Sequence, residues 1–345
     1  MPHSSGCAGR RGGVIEAEIG FVVQRLSYVI DMCKKRSFLL IIYSIVTLFA
    51  GGEWFARAQL GLGTPPLYVS DALTEYRLKP DQEINRFGNR IAVNAFSMRS
   101  APLAPVRDQS LQRVLIFGDS VLWGGSVLDQ NLIATDLLQK SGNFEVGNVA
   151  APSWGPGNWL GWAQRYGFLE ANTVVLVISS HDAADNPSSE TFLGNRNQPL
   201  HPPVSALWEG FNRYFLPRFK ALLPSAPPAD SDSPYAAPTS ANDARVQRSL
   251  GDLRTLIKLA RTSGARVLAV QFADREEAAS GKLKPGNRWI SELLQSQNVT
   301  TVQAGPIFRS CGPISTLYID GIHPYTASGQ ACLAKTIERA LALPF

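Results

Sequence analysis

The chain has 345 residues, 45% of them hydrophobic, which is enough for one large domain with a packed core plus attachments. The net charge of +5 is uneven: residues 1–36 hold Arg10, Arg11, Arg25, Lys34, Lys35 and Arg36 against Glu16, Glu18 and Asp31, so the N-terminus carries three of the five net positive charges. No basic stripe with interleaved aromatics is present, which argues against nucleic-acid binding, and Cys7, Cys33, Cys311 and Cys332 form neither a CxxC pair nor a His/Cys cluster at metal-ligand spacing, which argues against a structural zinc.

The first element is an address. Lys34-Lys35-Arg36 precedes an apolar run from Phe38 to Ala50, the pattern of a signal anchor or signal peptide, here placed at 37–58. The charge-free stretch Ser37–Gly52 is 16 residues, short of the ~20 that a bilayer crossing needs, so the helix must take in Trp54 and Phe55. The cations in front favour a cytoplasmic tail over 1–36 and the rest of the chain outside, a single pass in the inner (cytoplasmic) membrane facing the periplasm. Ala56-Arg57-Ala58 has the small-x-small form of a cleavage site, so secretion after a cut near Ala58 is the alternative; Glu53 and the two aromatics favour an uncleaved anchor. Residues 1–31 are weakly patterned, and Met32 opens a conventional leader of its own.

Residues 59–110 are rich in Gly and Pro and contain one short alternating run, Arg90–Asn94, that reads as a strand. They form a preface packed on the main domain. From 111 to 345 the texture changes. Continuous apolar runs at 113–117, 173–179 and 265–272, with weaker ones at 144–148 and 299–303, read as strands of a sheet covered on both faces. Helical patterns at 130–140, 157–169, 244–263, 287–297 and 326–342 alternate with them. Alternation of this kind predicts a three-layer α/β/α domain with a mostly parallel, flavodoxin-like sheet. A Pro/Ser-rich insertion at about 201–243 interrupts the rhythm: an aromatic helical segment at 205–221, then a flexible loop at 224–241.

Two motifs carry chemistry. In Gly118-Asp119-Ser120 a strand ends, a glycine turns and a serine follows, at the strand end where ligands bind in open α/β sheets. Alone this triplet reads as well as a helix cap. In Asp320-Gly321-Ile322-His323, just before the last helix, a histidine could take the serine proton while the aspartate orients the imidazole. The order Ser…Asp…His, with Gly-Asp-Ser after the first strand and Asp-x-x-His before the final helix, resembles the SGNH (GDSL-type) hydrolase superfamily over about residues 112–345.

That resemblance implies Ser120, Asp320 and His323 as the catalytic groups, with no metal or organic cofactor. It places the oxyanion hole on the Ser120 N–H, on a second backbone donor at Ser153 or nearby Gly155, and on the third-block position. There the family's Gly-x-Asn-Asp is Ser179-Ser180-His181-Asp182, so His181 replaces the usual asparagine. Trp154 and Trp159 stand beside the second block and either stack on a sugar or belong to the core. Cys311 and Cys332 flank the C-terminal motif and either form a disulfide in an oxidising compartment or stay as buried thiols. An anchor followed by such a domain resembles enzymes that hydrolyse or transfer acetyl groups on extracytoplasmic polysaccharide, with the membrane, a carbohydrate ester and exopolysaccharide-assembly proteins as partners. The alternatives are a catalytically silent polysaccharide-binding protein and a lipid esterase or thioesterase.

Overall fold

A computed structural model describes residues 10–142, 144–187, 193–195, 197–221, 238 and 240–344. The expected flexible loop at 224–241 lies almost wholly outside the described residues, as do His3 and Cys7. The chain separates into two compact units, with the boundary between Phe55 and Ala56.

In the first unit begins α1, Arg10–Ala58, a single helix much longer than the 37–58 expected. No proline interrupts residues 10–58, so nothing in the backbone stops the helix before the apolar segment starts. Its stretch Gln24–Ala58 is long and apolar enough to cross a membrane, and its most apolar 18-residue window is not buried against protein. An N-terminal apolar helix of this kind serves as a signal anchor or a signal sequence.

The second unit opens with two hairpins where the sequence pattern showed one strand: β1 (Tyr68–Asp71) with β2 (Glu75–Leu78), and β3 (Gln82–Arg86) with β4 (Asn89–Val93), each antiparallel. The missed strands are four or five residues long and carry polar side chains at most positions, too short for alternation to register. Their inward residues Tyr76, Leu78, Ile91 and Val93, with Met98, join the core of the main sheet.

The main sheet has five strands, all parallel, in the order β6-β5-β7-β8-β9. In chain order its elements run β5 (Gln112–Gly118), α2 (Ser120–Trp123), α3 (Ala134–Ser141), β6 (Phe144–Ala150), α4 (Pro156–Tyr166) and β7 (Thr173–Ile178). Then come α5 (Ala206–Gly210), a π turn (Phe211–Phe215), α6 (Leu216–Ala221), α7 (Ala244–Thr262), β8 (Arg266–Gln271), α8 (Arg275–Ser280), α9 (Pro285–Ser296), β9 (Thr300–Gln303), α10 (Ala304–Cys311), α11 (Ile314–Leu317) and α12 (Ala327–Leu341). Helices α4, α7 and α9 pack together on one face; α3, α10 and α12 pack on the other. Strands β5, β7 and β8 are buried beyond their first residue, which is why they read as unbroken apolar runs. The strand order reverses between β5 and β7, and this is the point where open α/β sheets leave a crevice beyond their carboxyl ends.

Candidate active site

Strand β5 ends at Gly118, where a Cβ would lie 2.7 Å from that of Leu122; only glycine lets the chain fold back so tightly into α2. Asp119 caps the turn, its Oδ1 accepting the Val121 N–H at 2.8 Å. Ser120 then stands half-buried at the start of α2. Asn148 on β6 donates to the Leu122 carbonyl at 3.1 Å. From the preface, the buried guanidinium of Arg99 donates to the carbonyls of Trp123, Gly125 and Leu128, fixing the chain as it leaves α2.

The C-terminal motif meets this serine. Asp320 Oδ1 accepts the N–H groups of Ile322 and His323, both at 2.8 Å, folding the loop into a tight turn. Its Oδ2 lies 2.7 Å from His323 Nδ1, and His323 Nε2 lies 2.9 Å from Ser120 Oγ. Burial would raise the Asp320 carboxyl, but the His323 backbone and side chain and the Ile322 N–H outweigh it and hold the group below the usual carboxylate range. Two residues that the sequence reading passed over brace the contact. Tyr325 donates its hydroxyl to the Ser120 carbonyl at 2.6 Å, and its ring lies 4.7 Å from that of His323. Gly125 leaves room for that ring, since a Cβ there would sit 2.6 Å from it. Gln330, fully buried on α12, donates to the Pro324 and Val121 carbonyls and accepts from Ala134 N–H, tying the histidine loop to the serine helix. Tyr325, two residues from His323, was within reach of a closer reading; Gln330 gives no local signal.

The remaining expected residues divide. Ser153 sits at φ +60°, a left-handed backbone that favours glycine. Among the described residues, no acceptor takes its N–H or that of Ser120. Gly155 is a correction: its N–H is bonded to Asn158 Oδ1 at 2.9 Å in the cap of α4, so it has no donor to offer. Trp154 and Trp159 are a second correction. They are 1% and 0% exposed, and their indole N–H groups bond the Tyr76 and Gly118 carbonyls, so they are core and present no face to a ligand.

His181 corrects the expectation of a free side-chain donor. Its Nε2 lies 2.6 Å from Asp119 Oδ2 and its Nδ1 2.9 Å from Ser179 Oγ, so both ring nitrogens have protein partners. Burial lowers its imidazole, but the Asp182, Asp119 and Asp185 carboxyls prevail and push it up to about 10. Burial also raises Asp182 well above the carboxylate range, and raises Asp185 to about 6 against the pull of His181. Asp119, His181 and Asp182 each bring one atom within 4.8 Å of the others, the set among the described residues best able to hold a cation. Within that set His181 Nε2 and Asp119 Oδ2 are already bonded to each other. Cys311 and Cys332 form a disulfide joining α10 to α12.

No family model matches the chain, and no curated protein matches it. Solved structures of SGNH/GDSL lipolytic enzymes and acetyl xylan esterases are similar to it. TesA has 15% identity and a TM-score of 0.40, covering 67% of this chain and 98% of its own. An acetylxylan esterase from Geobacillus stearothermophilus has 12% identity and a TM-score of 0.40, covering 68% and 95%. A member of the lipolytic protein G-D-S-L family from Veillonella parvula has 12% identity and a TM-score of 0.39, covering 67% and 100%.

Proposed function

We propose that the chain is a serine enzyme that cleaves or transfers acyl groups, acetyl above all, on extracytoplasmic carbohydrate. The observation that carries this reading is the unbroken contact Asp320–His323–Ser120, at 2.7 and 2.9 Å. Ser120 Oγ adds to the ester carbonyl carbon while His323 Nε2 takes its proton. Asp320 fixes the tautomer that leaves Nε2 free to accept, and steadies the imidazolium that forms. The oxyanion rests on the Ser120 and Ser153 N–H groups. Collapse of the adduct breaks the C–O bond, and His323 returns the proton to the leaving alkoxide. The acyl-serine is then attacked by water or a sugar hydroxyl, deprotonated by His323, and the serine is restored. With water the enzyme is an esterase; with a sugar hydroxyl it is a transferase.

Location follows from the N-terminus. The 49 residues of α1 run about 74 Å at 1.5 Å each, more than twice a ~30 Å hydrocarbon core. In this reading residues 37–58 span, 1–36 stay on the cytoplasmic side beside Lys34, Lys35 and Arg36, and the main domain of 111–345 with its preface of 59–110 faces the periplasm. The Cys311–Cys332 disulfide suits that oxidising compartment.

The test is ester turnover by the full chain in detergent. Wild type should release acetate or p-nitrophenol from acetyl esters, or pass acetyl to oligosaccharides, and Ser120→Ala should fall to background. Equal rates for the two proteins in both assays would instead mark a silent, polysaccharide-binding protein.

A further inference from the structure

The segment 206–221 has two unlike faces. One is pinned to the domain. Glu209, 7% exposed, is paired with the fully buried Arg86 at 2.5 Å and accepts the Gly63 N–H. Arg86 also donates to the Tyr214 hydroxyl at 2.8 Å. Ala206 packs with Ala56 and Leu62. The other face is an uncovered aromatic ladder. Trp208, Phe211, Phe215 and Phe219 are 61%, 42%, 59% and 50% exposed, and successive rings stack at 5.8, 5.6 and 6.2 Å. The i+3 and i+4 spacing of these four residues puts their rings on one helical face, and just before Pro217, which has no N–H, the Leu216 N–H reaches back five residues to the Phe211 carbonyl.

We infer that this face is a seat for the lipid bilayer, inserting its rings at the headgroup level beside the point where the chain enters the domain. Three observations select lipid. The first is continuity: the apolar span ends at Ala58, Arg57 donates to the Val204 carbonyl at 2.8 Å, and Ala56 packs on Ala206, so covalent connection alone holds the ladder within reach of the span's end. The second is composition, since Trp and Phe on one face with exposed Arg218 and Lys220 beside it is the pattern of interfacial helices. The third is charge: the one acid of 206–221, Glu209, is turned inward on Arg86 and Arg213, leaving exposed Arg218 and Lys220 as a cationic edge that complements anionic headgroups. The inference rests on the anchored reading of α1 and not on the chemistry at Ser120.

The experiment is spin-label accessibility in the full chain. With Cys7 and Cys33 replaced by serine, a nitroxide is placed singly at Phe215→Cys, Phe219→Cys, Leu40→Cys or, as control, at exposed Lys258→Cys on α7. The proteins are reconstituted in phosphatidylcholine vesicles containing phosphatidylglycerol. Relaxation by lipid-soluble oxygen over that by an aqueous nickel chelate should be several-fold higher at 215 and 219 than at 258, with the melting temperature of the labelled proteins unchanged. A ratio at 215 equal to that at 258 overturns the seat. A label at 215 shielded from both reagents, or broadened by a second label, also overturns it, in favour of protein cover or a second copy. Water exposure at 40 with lipid exposure at 215 would sink the anchor but keep the seat.

Discussion

At the scale of residues, the site is a set of polar groups each held by a neighbour. Tyr325 holds the Ser120 carbonyl at 2.6 Å and flanks the His323 ring, so in the proposed mechanism it positions the nucleophile. Tyr325→Phe should lower kcat about 3–10-fold, the worth of one ordinary hydrogen bond, with KM unchanged; a rise in KM at constant kcat would show that it contacts substrate instead. His181 is the other residue whose role changed on folding. Its imidazole is raised from 6.5 to about 10 in the folded protein, so its contribution to stability is complete below pH 6.5 and is lost as pH rises towards 10. The melting temperature should therefore decline across that window, and His181→Gln should flatten the decline. An unchanged slope would mean that the charge of His181 is not what the Asp119–Asp182–Asp185 cluster stabilises. The side chain is 38% exposed, so solvent screens part of the effect.

At the scale of elements, the parallel strands were legible and the helices between them nearly so. Runs such as Val114–Phe117 and Val174–Ile178 are buried on both faces, and burial on both faces leaves no polar alternation to confuse the pattern. Of the strands in the preface hairpins only β4 was legible; its partner β3 was not, because β3 buries only Ile84 and Arg86 of its five residues and one of these is charged. Arg86 is tolerable there only because Glu209, 123 residues away, supplies the partner. Between α10 and α12 the Cys311–Cys332 disulfide closes a 21-residue separation that includes Asp320 and leads into α12. Reducing it, or replacing both cysteines by serine, should cost about 3 kcal/mol of stability by loop-closure entropy, read as a lower denaturation midpoint. A midpoint that ignores reductant would mean that the α10–α12 packing alone holds the loop.

At the scale of the whole molecule, the chain combines an apolar N-terminal helix, an exposed aromatic segment and a serine at the reversal of strand order; in the proposed function these serve as a membrane tether and an ester-handling site. Sequence alone determined the layer architecture, the serine, the Asp-x-x-His pair and the apolar leader, because each is written in contiguous residues or in a period that local geometry sets. It also singled out the aromatic segment of 205–221, though not which way its rings face. Tertiary structure alone decided the rest. It spent the Gly155 N–H on Asn158, sank Trp154 and Trp159 into the core, turned both nitrogens of His181 to Asp119 and Ser179, and brought Gln330 beneath the serine. A hydrogen-bond donor or an aromatic face is available only if no neighbour claims it first. Which neighbour does so depends on residues distant in the chain, and no local pattern records it.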